Sequence, residues 1–287
     1  MAQAATTRLT IRQIADLAGV SIATVSRVLN GRDDVSDETR DLVSRVVREN
    51  GYTANRSARG LSAGHTGLVG VLVPLVYPAY FSSILAGAAE ALSESDLQIV
   101  LSPTGHQHDR EVSVLDRLHG LTEGALIVLP EESNEELERM LDGGYRFVVI
   151  DPLMPLHERI PSVSAAHMSG ADQAMRHLLG LGHRRIAQIS GPPGWVSTED
   201  RRRGYQAARA HGLRVPEDVS IVGFDDVEHA TIVTPALTTV RQPLAEMGRT
   251  AVSLLNRLLE RQSFETLHIE LATRLVVRDS TAPPRVG

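Results

Sequence analysis

The sequence predicts an all-α helix-turn-helix head followed by an α/β body of two doubly wound parallel-sheet lobes. Three observations carry this expectation. Residues 10–61 hold three short amphipathic helices joined by very tight turns. From residue 68 to 151, continuous apolar runs alternate with helical patterns. A second series of the same kind runs from 171 to 258. Alternating strands and helices are the mark of a sheet whose parallel strands are linked by crossover helices.

In the head, Thr10 is placed to N-cap the first helix, with Gln13 at the capping-box position. Ile11, Ile14, Ala15 and Ala18 fall on one helical face. Gly19 permits the positive φ that ends a helix within one residue. Ser21 N-caps the second helix, and Val25, Val28 and Leu29 face inward. Helix, glycine-containing turn, helix is the motif whose second helix enters the DNA major groove. Residues 1–64 are therefore read as a DNA-binding head with its connecting segment, and 65–287 as the body. The small, polar stretch SAGHT (62–66) is the linker between them.

In the body, LVGVLVPL (68–75) is an unbroken apolar run, as in a strand buried on both faces. Phe81, Ile84, Leu85, Ala88 and Leu92 follow at helical spacing. QIVLSP (98–103), GALIVLP (124–130) and FVVID (147–151) read as further strands. Val112, Leu115 and Leu118 mark one intervening helix, and Leu137, Met140 and Leu141 another. The second series has a helix on Ala171, Ala174, Met175 and Leu178, then strands at RIAQISG (185–191) and SIVGFDD (220–226). Leu244, Met247, Ala251, Leu254, Leu255 and Leu258 make a long closing helix. Ligands of such sheets bind outside the carboxyl ends of the strands, so two facing lobes enclose a cleft.

Composition excludes several classes. The chain has no cysteine, so it forms neither disulfides nor thiolate metal sites. No run of 18 apolar residues and no apolar leader are present, so the expectation is a cytoplasmic protein with no membrane partner. All 29 basic residues are arginine, which is consistent with codon bias and also suits bidentate contacts to phosphate and guanine. The net charge of −6 is unevenly divided. Residues 1–64 carry nine Arg against seven acids, whereas the remainder carries 20 Arg against 28. A basic head on an acidic body fits a protein that meets phosphates only through its head.

The run VSIATVSRVLNG (20–31) resembles the V-S-x-x-T-V-S-R-x-L-N signature of the lactose-repressor (LacI-type) family of bacterial transcriptional regulators. NRSARGL (55–61) is similar to that family's hinge segment. LGHRRIAQISGPPG (181–194), RRRGY (201–205), GLRVPEDVSIVGFDD (212–226), PALTTVRQP (235–243) and TRLVVRDST (273–281) resemble its body landmarks in the same order. The resemblance implies a periplasmic-binding-protein-like body, a homodimer on palindromic double-stranded operator DNA, and a small-molecule effector of sugar or nucleoside type. It implies no cofactor and no metal.

Two departures from the family pattern stand out. Arg201 to Tyr205 runs through QAARAH straight into Gly212, where the family inserts a strand, a helix, a strand ending in Asn-Asp, and another helix. The second lobe is thus shortened near 206–212, by roughly fifty to sixty residues at usual unit sizes. Leu75 and Pro78 replace polar residues after the first strand, and Ala165, Ala166 and His167 stand where the family often has Val-Asp-Asn.

By resemblance, DNA contacts come from Thr10, Arg12, Ser21, Ile22, Ala23, Thr24, Ser26, Arg27 and Asn30. Ile22 suits a thymine methyl and Arg27 a guanine edge, while the short hydroxyl and amide side chains suit phosphates. In the hinge, Asn55, Arg56 and Arg59 lie near the backbone, Ala58 on the hinge–hinge contact, and Leu61 wedges into the minor groove. The effector cleft takes Phe81, Asp151, Trp195, Ser197, Arg201, Asp225 and Gln242. Two carboxylates and a guanidinium suit vicinal sugar hydroxyls, and Trp195 suits stacking on a ring.

Gly60-Leu61-Ser62-Ala63-Gly64 imitates a hydrolase nucleophile elbow but lacks the strand before and helix after that the elbow requires. His106-Gln107-His108 lacks a third metal-ligand pattern, and no catalytic constellation surrounds Asp225-Asp226. The expectation is a DNA-binding regulator acting as a repressor, and not an enzyme. Two alternatives stay open: a DNA-binding dimer with no effector response, and a small-molecule-binding α/β protein.

Overall fold

The computed structural model describes residues 9–29, 31–52, 65–77, 79–93, 95, 97–187, 214–262 and 266–284. Contacts divide the chain into Met1–Thr66 and Gly67–Gly287.

Among the described residues the head has three helices: α1 (Ile11–Ala18), α2 (Ile22–Leu29) and α3 (Asp37–Glu49). The Thr10 amide donates to Gln13 Oε1 at 2.8 Å and the Gln13 amide to Thr10 Oγ1 at 3.4 Å, closing the capping box the sequence predicts. Gly19, at φ 64°, ends α1. The Thr24 amide donates to Ser21 Oγ at 3.1 Å, so Ser21 caps α2. Ile14, Ala15 and Ala18 meet Val25 and Val43 in one small core, with Ile11, Val28 and Leu29 partly buried around it. The tight turn and the apolar spacing together orient α2 so that Ile22, Ala23 and Arg27 are exposed.

The body opens with a six-stranded, wholly parallel sheet in the order β2-β1-β3-β4-β5-β8. Its strands are β1 (Leu68–Val73), β2 (Gln98–Pro103), β3 (Gly124–Val128), β4 (Phe147–Ile150), β5 (Ser162–Ala165) and β8 (His268–Leu271). The apolar runs fill both faces, as a doubly wound sheet requires. Val69, Val71 and Val73 point to α4 (Ala79–Leu92) and α9 (Leu244–Leu259). Leu72, Ala125, Ile127, Phe147 and Val149 point to α5 (His108–His119) and α6 (Asn134–Asp142).

A second sheet, in the order β6-β7-β9, comprises β6 (Val222–Asp225), β7 (Thr238–Arg241) and β9 (Arg274–Val276). Between β6 and β7 lies the short helix α8 (His229–Ile232). The helix α7 (His167–Gly180) packs against β7 and β9. Among the described residues the chain crosses between the sheets from β5 to α7, from β7 to α9, and from β8 to β9. The crossings are stitched together. The Ala166 amide donates to Leu271 O at 2.8 Å, and Thr273 Oγ1 donates to Ala166 O at 2.9 Å.

The α/β architecture is the one expected, but the second lobe differs in detail. Among the described residues its sheet is mixed, because β9 returns antiparallel to β7 after leaving the first sheet at Leu271. Ala171 and Met175, inward by helical spacing, are exposed, because Gly170 and Gln173 provide the close contacts of α7. Arg185 to Ala187 are not in a strand, and the rest of RIAQISG and the junction at 206–212 lie outside the described residues.

Candidate DNA-reading surface and ligand cleft

On α1 and α2, Arg12, Ser21, Ile22, Ala23 and Arg27 are exposed, while Val25 is fully buried. The recognition helix therefore turns Ile22, Ala23 and Arg27 to solvent by sinking Val25 into the head's core. Thr10 is exposed, and its hydroxyl donates to Gln13 Oε1 at 3.1 Å. The Ser21 and Thr24 hydroxyls lie 2.9 Å apart, so the pair forms one hydrogen-bonding unit at the helix start. Ser26 is partly buried. Arg27 Nε lies 3.3 Å from Asp34 Oδ2. Asn30, Asn55, Arg56, Arg59 and Leu61 lie outside the described residues, as do Trp195, Ser197 and Arg201 of the cleft.

In the body, Asp151 directly follows β4 and Asp225 ends β6, both at carboxyl ends of strands. Both have left-handed backbones, at φ 55° and 83°, which aspartate tolerates better than most residues. These turns aim short acidic side chains across the strand ends. Asp151 is 5% exposed and doubly engaged. The Tyr80 hydroxyl donates to its Oδ2 at 2.5 Å, and His167 Nε2 lies 2.5 Å from its Oδ1. Burial, then the Asp151 carboxylate, pushes the Tyr80 hydroxyl well above its ordinary range, so it stays a donor.

His167 is the first residue of α7, and its ring stacks on Phe224 of β6 with centroids 5.8 Å apart and planes at 25°. Gln242 Nε2 donates to Asp225 Oδ1 at 2.6 Å. Gln242 Oε1 is buried with no hydrogen-bond partner among the described residues. Tyr80, Asp151, His167, Phe224, Asp225 and Gln242 thus form one chain of contacts running from the first sheet to the second. A shallow cavity of about 350 Å³ opens beside it, lined by Asp151, Leu153, Met154, His167, Met168 and Glu270 among others.

Of the residues that the resemblance assigns to the cleft, Asp151 lines this cavity, whereas Asp225 and Gln242 bond to each other at the end of β6 and do not line it. Phe81 packs into the core at 4% exposure, edge-to-face with Tyr80, and the preceding Tyr80 makes the polar contact to Asp151. Tyr80 and Phe224 were not legible as site residues, since a tyrosine on an apolar helix face and a phenylalanine within a strand both read as core. His167 was visible only as a departure from the family pattern. Asp226 turns away from the cleft to ion pairs with Arg241, at 2.5 Å, and Arg278, at 2.7 Å. His106 and His108 face Glu131 and Glu136 at 3.5 and 3.0 Å, and no group among the described residues has a metal-holding arrangement.

Residues 10–55 match the family model for bacterial regulatory proteins of the lacI family. Residues 66–221 match periplasmic binding proteins and the sugar binding domain of the LacI family, and 202–281 a periplasmic binding protein-like domain. The HTH-type transcriptional regulator CelR of Thermobifida fusca is 32% identical over 337 aligned residues, covering 95% of this chain and 98% of the relative. That alignment runs over 337 positions but takes in only 95% of the 287 residues here, so the relative carries more than 60 residues that this chain lacks. The shortfall is somewhat larger than the roughly fifty to sixty residues expected from the shortening near 206–212. A structure of a CelR–cellobiose complex superposes with a TM-score of 0.66 at 30% identity, covering 95% of this chain and all of that one. The Lac repressor dimer bound to operator and an anti-inducer superposes with a TM-score of 0.84 at 24% identity, covering 96% of this chain and all of that one. With both its head and its body matched, and a relative aligned over nearly its whole length, this chain is a shortened member of the lacI family of bacterial transcriptional regulators.

Proposed function

We propose that this regulator binds a short palindromic operator as a homodimer and represses transcription from it, with the body cleft as its effector site. The observation that carries the reading is the outward set Arg12, Ile22, Ala23 and Arg27 around the buried Val25. One recognition helix per chain covers a half-site, so two chains read a palindrome. Arg27 reads a base edge, the Ser21–Thr24 pair, Thr10 and Ser26 hold phosphates, and Asn30 extends that set. In the hinge, Asn55, Arg56 and Arg59 meet the backbone and Leu61 supplies the minor-groove wedge. The role is regulation rather than catalysis, in the cytoplasm. No helix among the described residues is long and apolar enough to cross a membrane.

The effector class is a sugar or nucleoside, held by Asp151, Asp225 and Gln242 with Arg201, Trp195 and Ser197. Support comes from the paired carboxylates at strand ends and from the buried, unpartnered Gln242 Oε1, an acceptor suited to a ligand hydroxyl. A second reading, a dimer that senses nothing, is favoured by one observation: both cleft carboxylates are already engaged by the protein's own side chains. A genome-wide binding footprint followed by a bending assay on the recovered site tests the first part. A palindromic site bent less by Leu61→Ala upholds it, and random occupancy overturns it. Calorimetry with a panel of sugars and nucleosides separates the two readings of the cleft.

A further inference from the structure

We propose that His167 is a resident ligand of the cleft: its imidazole occupies the ring position between Asp151 and Phe224, and a ring-shaped effector binds only by displacing it. The proposal rests on the effector-cleft reading above and names what regulates that site.

The first argument is the geometry of the ring. Flat-ring recognition commonly combines an acceptor at the ring's edge with an aromatic group against its face. Asp151 Oδ1 supplies the edge contact at 2.5 Å and Phe224 the face contact at 5.8 Å. His167 already satisfies both.

The second argument is which of the cleft's own partners can leave. Asp151 and Asp225 are engaged by Tyr80, His167 and Gln242. Tyr80 and Gln242 are 5% and 6% exposed and locked by packing. The His167 side chain is 50% exposed, so rotation about its two side-chain bonds carries the ring into solvent.

The third argument is that the backbone beneath it stays still. A Cβ on Gly170 would come within 2.6 Å of Val240 and 2.8 Å of Thr273, so α7 sits hard against the second sheet. Gln173 clamps the same helix, donating to Thr273 O at 3.1 Å and accepting from the Leu275 amide at 2.9 Å. Displacement is therefore a side-chain event.

The consequence is selectivity. Asp151 is nearly fully buried, and an unpaired buried carboxylate is costly. His167 removes that cost when no effector is present. An incoming molecule gains only what it offers beyond an imidazole N–H and a stacked face. Linear polyols, which have no face, are excluded, and rings carrying strong donors are favoured.

The test uses the full-length protein and imidazole as the probe. His167→Ala is expected to bind imidazole about tenfold or more tightly than the wild type does, read by calorimetry and by thermal shift. Adding Phe224→Ala to that variant is expected to remove the gain. His167→Asn, which keeps a donor for Asp151 but no ring, serves if His167→Ala fails to fold, with a smaller gain expected because its amide still competes for Asp151. A folded variant with wild-type circular dichroism that takes up imidazole no better than the wild type overturns the proposal.

Ribose, cellobiose and adenosine are titrated in parallel. Imidazole uptake by the variant with none of these three bound by either protein upholds the resident ring and counts against the effector reading. Any of the three bound equally by both proteins overturns the resident ring and leaves the effector reading standing.

Discussion

Arg27 of the recognition helix pairs with Asp34 in the turn ahead of α3, with Nε and Oδ2 3.3 Å apart. The two side chains are 54% and 62% exposed, so water screens the pair and it holds the head together only weakly. Its effect is on binding. If Arg27 reads DNA as proposed, a base edge or phosphate competes with Asp34 for the guanidinium, and Asp34 brings a negative charge beside that contact.

The first prediction follows from this pair. Asp34→Asn is expected to tighten binding to both operator and random DNA, and the operator more, because it removes repulsion and also frees Arg27 for its base edge. Arg27→Ala is expected to cost about 1–3 kcal/mol on the operator and much less on random DNA. Arg56→Ala is expected to weaken both equally and to flatten the salt dependence. Gel-shift titrations at two salt concentrations check all three. Equal losses on both DNAs for Arg27→Ala and Arg56→Ala would show that the two arginines do not divide the work.

A second prediction concerns the contact between α4 and α9. A Cβ on Gly87 would lie 1.9 Å from Ala245 O, and one on Gly248 would lie 2.1 Å from Ile84 O. Each glycine lets one helix backbone rest on the other, and backbone cannot yield as a flexible side chain does. Gly87→Ala or Gly248→Ala is expected to destabilise the body by about 1–3 kcal/mol or more through overpacking. The head has its own core, so its melting is expected to stay unchanged. Urea melts of the body, together with the helical signal of the head, check this.

Much of the fold was legible because its signals are local. Thr10 and Gln13 are three residues apart, as are Ser21 and Thr24, and an apolar run such as GALIV declares a strand buried on both faces. β5 and β8 were not legible. SVSA and HIEL carry no apolar run; SVSA is a strand through its pairing with β4 and β8, and HIEL by pairing with SVSA across 106 residues, as His268 does with Ser162. The cleft was half legible for the same reason. Strand-end acids can be read along the chain, but the bond from Tyr80 to Asp151 spans 71 residues. His167 registered as a lost family residue, whereas its position beside Asp151 and Phe224 makes it a gained one.

The last prediction concerns two buried carboxyl groups whose meeting no local pattern in the chain announces. Glu111 of α5 and Glu132, ahead of α6, are 1% and 2% exposed and interact with each other. Thr104 Oγ1 donates to Glu111 Oε2 at 3.2 Å. Burial, reinforced by the Glu111 carboxyl, pushes Glu132 up from 4.5 to about 9. Burial also raises Glu111, opposed by its hydrogen bonds. In the unfolded chain Glu132 ionises near 4.5. Between there and about 9 the folded protein holds a proton that the unfolded chain has lost. The contribution of Glu132 is therefore fully present below pH 4.5 and is lost as pH rises through that window, at up to about 1.4 kcal/mol per pH unit. Glu132→Gln keeps the shape and cannot ionise, so it is expected to remove this slope. The variant is expected to be more stable than the wild type at pH 8 and to lose that advantage toward pH 4.5, as read by urea melts across the range. Parallel pH profiles for the two proteins would mean that Glu132 is ionised in the folded body and that the buried proton does not exist.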